Sequence, residues 1–294
     1  MSTTTDEPSL GLDALVERAT GCLLEVGASH PAALVMAGVG RGLLPERLAE
    51  ATELSLPSDP AFGPWSACSV VQGSLGGLRI WVLDDSGLDA PLERHAPWLH
   101  ALPVWVAANL GARLLIHTSA GAYLEYDEEL APGDLLIATD HINLSGRTPL
   151  LGLGESRYGP LFPDQTRLHD PAARAVLARA ADERGIRLAT GVVACTTGPA
   201  VETPAEQAWF AGAGARVSVQ GLSSPLIAAA HAGLGVSALV AVVQRRGETA
   251  DLRSILQHAE RSAPAIEDLL LTAAPGLAAL LDEDDLPTLP RAHD

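Results

Sequence analysis

Ten consecutive residues, Gly198-Pro199-Ala200-Val201-Glu202-Thr203-Pro204-Ala205-Glu206-Gln207, combine a chain break, a carboxylate and a helix start. The Gly198-Pro199 pair ends a strand-like run over residues 191–197, and an amphipathic helical pattern follows over 204–213. Thr203 suits the N-cap, and Pro204 and Glu206 suit the first turn. Glu202 is thereby expected at the carboxyl end of a strand, where α/β sheets place ligand groups. A carboxylate there can accept two hydrogen bonds from the N–H edge of a purine base. The same residues also suit a plain capped helix start with a solvated Glu202.

The surrounding pattern is that of an α/β chain. Leu12, Leu15, Val16, Ala19, Leu23 and Val26 recur at helical spacing. Residues 32–37 read as a buried strand, followed by Gly38-Val39-Gly40-Arg41-Gly42, a turn rich in residues that tolerate positive φ. Further strands are expected at 69–72, 78–83, 114–117, 135–138, 191–196, 217–219 and 236–243. Helices are expected at 91–110, broken near Pro97 or Pro103, and at 171–184, 204–213 and 225–232, with a helical tail from Leu252 that restarts at Ser262/Pro264. Strand–helix alternation without a linker predicts one α/β domain, a central mixed sheet flanked by helices, over residues 10–283. Residues 1–9 are expected to be a disordered N-terminus and 284–294 a flexible C-terminus. The glycine loop is not G-x-G-x-x-G, so a dinucleotide site is a poor fit.

Composition excludes several classes. A net charge of −17 opposes nucleic acid and anionic membranes alike. The chain has no run of 18 apolar residues, and its start lacks the basic and apolar regions of a signal peptide, so a cytoplasmic location is expected. Hydrophobic content of 47% with only 4% aromatic suits a large sheet covered by helices. Cys22, Cys68 and Cys195 are scattered, without metal-like spacing, and read as reduced core thiols. No metal or cofactor is expected.

The decapeptide resembles the G-P-x-x-E-T-x-A-E segment of the trimeric purine nucleoside phosphorylases. So do residues 114–124 (L-L-I-H-T-S-A-G-A-Y-L), 132–144 (P-G-D-L-L-I-A-T-D-H-I-N-L) and 149–152 (P-L-L-G). Tyr158, Phe162-Pro163, 221–225 (G-L-S-S-P) and 231–234 (H-A-G-L) continue the likeness, in family order over roughly residues 30–262. The resemblance implies a nucleoside phosphorylase-like fold. It also implies cleavage of the N-glycosidic bond of purine nucleosides or deoxynucleosides to free base and ribose 1-phosphate, with inorganic phosphate as co-substrate.

It further implies roles for single residues. Glu202 matches the family's purine-binding carboxylate. Gln244 falls on a base-contacting Asn, with a longer arm, and His258 on a His that binds the 5′-hydroxyl. Ser119, Ala120 and Gly121 match a glycine-rich base and phosphate loop. Leu222 stands where an apolar residue underlies the ribose, and Val201 borders the base. Tyr158 matches an aromatic that reaches a neighbouring subunit's sugar site, which implies a homotrimer with sites at its interfaces.

The phosphate clamp departs from the family. Its first-loop Ser falls on Gly38, whose backbone could still bind an anion. The family's G-R-F-H-x-Y segment aligns with residues 87–92, putting Leu88 at the arginine and Ala90 at the histidine. Asp84, Asp85, Asp89 and Glu93 crowd that stretch; Ser223 remains, with Arg41, Arg94 and His95 as substitutes. Each lost charge-assisted bond is worth roughly 1.5–3 kcal/mol, so two weaken phosphate by about two to four decades. Three readings follow: a phosphorylase holding phosphate through loop amides and a displaced arginine, a nucleoside hydrolase or transferase independent of phosphate with Asp85 or Asp89 activating water, and a non-catalytic purine-binding homologue.

Overall fold

The computed structural model describes residues 11–40, 44–55, 57, 59–84, 97–127, 129–249 and 251–282. The two expected flexible ends lie outside these residues. So do Arg41, Asp85, Leu88, Asp89, Ala90, Glu93, Arg94 and His95.

Nine strands form the sheet: β1 (Ala33–Ala37), β2 (Ala49–Ser55), β3 (Ser69–Leu75), β4 (Leu78–Asp84), β5 (Leu114–Tyr123), β6 (Leu135–Asn143), β7 (Leu188–Thr196), β8 (Ala215–Gln220) and β9 (Gly235–Arg245). Their order is β2-β3-β4-β1-β5-β8-β7-β6-β9, and β9 pairs back onto β5. Strands β5, β8, β7, β6 and β9 therefore close into a ring, from which β1, β4, β3 and β2 extend as a wing. The expected mixed sheet is present: β5 runs parallel to β1 and β9 but antiparallel to β8.

Strand alternation divides the core in two. Leu34 and Met36 of β1 face one layer, with α1 (Leu12–Glu25), α2 (Leu102–Asn109) and α5 (Ser223–Ala232). Ala33, Val35 and Ala37 face the other, with α3 (Pro171–Arg184) and α6 (Leu252–Asp282). Helix α4 (Pro204–Gly212) covers a smaller cluster through Phe210.

Three elements differ from the sequence expectation. The tail does not restart: α6 runs 31 residues through Pro264 and Pro275. A proline inside a helix costs about 3 kcal/mol, and burial of Ile266, Leu269, Leu270, Ala273, Leu277 and Leu281 against the sheet opposes that loss. By length and composition α6 could also cross a bilayer, but its apolar stripe packs on the protein's own core. Ser119, Ala120 and Gly121, expected in a loop, belong to β5. Strand β2 had no periodic signal because all but one of its residues are exposed.

Candidate active site

A fork in the sheet defines the site. Strand β5 pairs with β1 as far as Thr118 (opposite Ala37) and with β8 from Gly121 (opposite Val219). Ser119 and Ala120 lie between, where β5 exchanges one neighbour for the other. Such switch points leave a crevice that α/β sheets use for ligands. Gly121 sits at the crossing itself: a Cβ there would lie 2.6 Å from Val240 and 2.8 Å from the Ser218 carbonyl, so only glycine lets three strands approach so closely. The end of β1 (Gly38), the end of β8 (Gln220) and Thr196 of β7, which pairs with Gln220, all reach this level.

Glu202 is held there by local chemistry. The Thr196 hydroxyl donates to its Oε1 at 2.8 Å, while Oε2 has no partner among the described residues. Behind it, Thr203 and Glu206 form a reciprocal capping box that starts α4. The expected cap is thus present, and such a cap is worth about 1 kcal/mol. Gly198 has φ 67°, and a Cβ at this position would collide with the Gln220 carboxamide. That carboxamide donates to the Ala200 carbonyl at 3.0 Å and ties the loop to β8. The half-buried carboxylate is therefore fixed from both sides. Val201 beside it is 40% exposed and open to a ligand.

Gln244 and His258 meet at the end of β9. The Gln244 Nε2 donates to the Glu248 carbonyl at 2.9 Å, so one half of its amide already holds the following turn. His258 Nδ1 lies 2.6 Å from the Val243 carbonyl. A carbonyl only accepts, so Nδ1 carries the proton and Nε2 is left as an acceptor suited to a hydroxyl. The Gly247 amide donates to Gln207 Oε1 of α4 at 3.3 Å, which links this turn to the Glu202 helix. That link was not legible in the sequence.

Among the described residues, the amide and hydroxyl groups expected to hold an anion already have partners within the protein. Gly38 is exposed, but its amide donates to the Thr118 carbonyl at 3.0 Å, and the Val39 amide to the Thr118 hydroxyl at 3.1 Å. The Ser223 hydroxyl shares a 3.0 Å hydrogen bond with Ser145, and Ser119 one of the same length with His117. Burial holds His117 at about 4, so its ring is neutral at pH 7 and brings no positive charge. Strand β4 ends at Asp84, level with Ala37; Leu88 and Ala90 lie outside the described residues. Sequence reading missed Arg147. It is exposed, forms no ion pair among the described residues, and its amide donates to the same Ser145 hydroxyl that meets Ser223.

Two sugar-side expectations fare differently. Leu222 is 0% exposed, packed in the first core layer, and offers no open surface to a ribose. Tyr158 packs on that same layer, and its hydrogen bonds go to Arg157 and Ser156. Its segment is tied to α1 instead, through Ser156 and Arg157 to the Asp13 carboxylate at 2.6 and 3.1 Å.

Comparisons with known proteins identify the family. The phosphorylase superfamily profile matches residues 34–275. Purine nucleoside phosphorylase 1 of Geobacillus stearothermophilus is 32% identical over 226 residues, covering 75% of this chain and 81% of that one. The purine nucleoside phosphorylase of Mycobacterium tuberculosis is 34% identical over 218 residues, 71% of this chain and 75% of the relative. A crystal structure of a schistosome purine nucleoside phosphorylase with hypoxanthine superposes with a TM-score of 0.80 at 23% identity, over 91% of this chain and 99% of the other. The chain belongs to the phosphorylase superfamily, among its purine nucleoside phosphorylases.

Proposed function

We propose that the chain is a pentosyltransferase of the purine nucleoside phosphorylase type, cleaving the N-glycosidic bond of purine nucleosides or deoxynucleosides. The observation that carries this reading is the Glu202 carboxylate, anchored through one oxygen by Thr196 with the other free at the sheet fork. Glycosidic cleavage builds negative charge on the leaving base. The Glu202 carboxylate accepts from the N–H edge of the base and fixes its position, while the developing negative charge is met by a donor, the remaining N–H of the Gln244 amide. Gln244 adds an amide contact, and His258 Nε2 accepts the 5′-hydroxyl. Ser119, Ala120 and Val201 border the base and sugar.

The nucleophile is the open part of the reaction. Gly38, Val39, Ser119 and Ser223 already spend their hydrogen bonds inside the protein. That favours weak phosphate use, with Arg147 as a displaced cation, or a phosphate-independent hydrolase or transferase. A purine-binding homologue without turnover is the remaining outcome. A nucleoside panel assayed with and without phosphate tests all three. Phosphate-dependent base release supports the phosphorylase, phosphate-independent release the hydrolase, and binding without turnover overturns the enzyme assignment.

A homotrimer, with Tyr158 of one chain approaching Glu202 and His258 of the next, belongs to the same proposal. Exposure of Leu151 (69%), Leu161 (50%) and Phe162 (88%) around Tyr158 supports it. Sedimentation showing a monomer that still turns over nucleoside would remove the shared site. A cytoplasmic location is part of the reading as well.

A further inference from the structure

Away from the fork, two histidines from separate elements converge. His141 lies on β6, just past a register shift between Ala138 and Asp140, and His169 precedes α3 in a bridge to Val236 of β9. Though 28 residues apart, His141 Nδ1 and His169 Nε2 are 3.1 Å from one another. Asp140 adds a carboxylate, and the ligand atoms of all three lie within 4.8 Å of one another. Zinc–nitrogen bonds of 2.0–2.1 Å in a tetrahedral site set two ring nitrogens about 3.3 Å apart, so a shift of a few tenths of an ångström would admit the ion.

We propose that Asp140, His141 and His169 form a site for a divalent cation of the zinc class, with water completing the coordination. His169 is 8% exposed and turns its Nε2 towards His141 Nδ1, so a buried ring nitrogen lies inside the cluster. Neutral imidazole nitrogens and a carboxylate oxygen are the ligand types that zinc takes. Asp140 is exposed, which leaves an entry path for the ion. Against the ion stands Arg174, which donates to the His169 carbonyl at 3.4 Å. The Asp140 charge faces the opposite way in sign and lies in the ligand set itself. A bound ion would clamp β6 to the segment leading into α3, which bridges the neighbouring strand β9.

The test is metal binding by the full chain, stripped with chelator and titrated with Zn²⁺ in a calorimeter and with Co²⁺ by visible absorption. We expect one ion per chain with micromolar or tighter affinity, intense Co²⁺ bands, and a melting temperature raised by several degrees at saturating Zn²⁺. His141→Gln should weaken binding about 100-fold and abolish the rise in melting temperature. Asp140→Asn, at an exposed position that leaves the core intact, should weaken binding about tenfold and keeps the test valid if the His141 variant folds poorly. Absence of Zn²⁺ binding at 100-fold excess over micromolar affinity, or binding that both variants retain, overturns the site and leaves a hydrogen-bonded histidine pair.

Discussion

The base half and the anion half of the site border the same sheet fork but are prepared differently. On the base side, Thr196 and the Thr203–Glu206 capping box hold Glu202 while one carboxylate oxygen stays unengaged. On the anion side, the amides of Gly38 and Val39 and the hydroxyls of Ser119 and Ser223 all have internal partners. One half presents an unengaged carboxylate oxygen; in the other, each of these amides and hydroxyls already has a partner within the protein. Recognition of the base and choice of nucleophile can therefore diverge independently within one fold.

The largest effect should come from the base half. Glu202→Ala is expected to reduce base affinity and nucleoside cleavage about 100-fold or more, with a melting temperature close to the parent's, since the carboxylate is half-buried in a loop. A large loss of stability with unchanged base affinity would return Glu202 to a helix-start role. Next, Leu88→Arg with Ala90→His should improve phosphate use about tenfold or more if the anion half lacks only its cations. Micromolar phosphate affinity in the parent that vanishes in Arg94→Ala, or in Arg147→Ala, would instead locate the cation elsewhere.

A third measurement probes His117, which contacts Ser119 in the fork shared by both halves. Its folded value near 4 lies below the ordinary 6.5, so the unfolded chain binds the extra proton. Stability from this group is complete above about pH 6.5 and is lost as pH falls towards 4. Melting curves at pH 7.5, 6 and 4.5 should therefore drop more steeply for the parent than for His117→Asn; equal slopes would show that His117 is not held neutral. The smallest effect is expected from Thr196→Val, which removes one hydrogen bond to Glu202 and should weaken base binding about three- to tenfold. No change would mean that the capping box alone fixes the carboxylate.

What the sequence made legible was local. The Glu202 loop, its cap, the strand–helix alternation and most strand positions follow from neighbours a few residues apart. The closing of β9 onto β5 does not, because pairing across more than a hundred residues leaves no periodic trace. For that reason Ser119-Ala120-Gly121 read as a loop, although the strand continues through it. The commitment of the Gly38 amide to Thr118 was equally hidden, since Gly-rich spacing reports flexibility and not hydrogen-bond partners. His141 and His169 lack any ligand spacing in sequence for the same reason.

Ring closure has a further consequence for solubility. Ring closure gives β5, β8, β7, β6 and β9 a neighbour on each side over at least part of their length, so β2, at the far end of the wing, is the terminal strand of the sheet. That strand carries Glu50 and Glu53 facing solvent, and its register is interrupted between Ala49 and Thr52, where Glu50 adopts a positive φ of 57°. Charge and a bulge are the two features that make an edge a poor template for intermolecular pairing. Replacing both glutamates with valine should leave nucleoside handling intact while turning this edge into the seed of fibrous assembly.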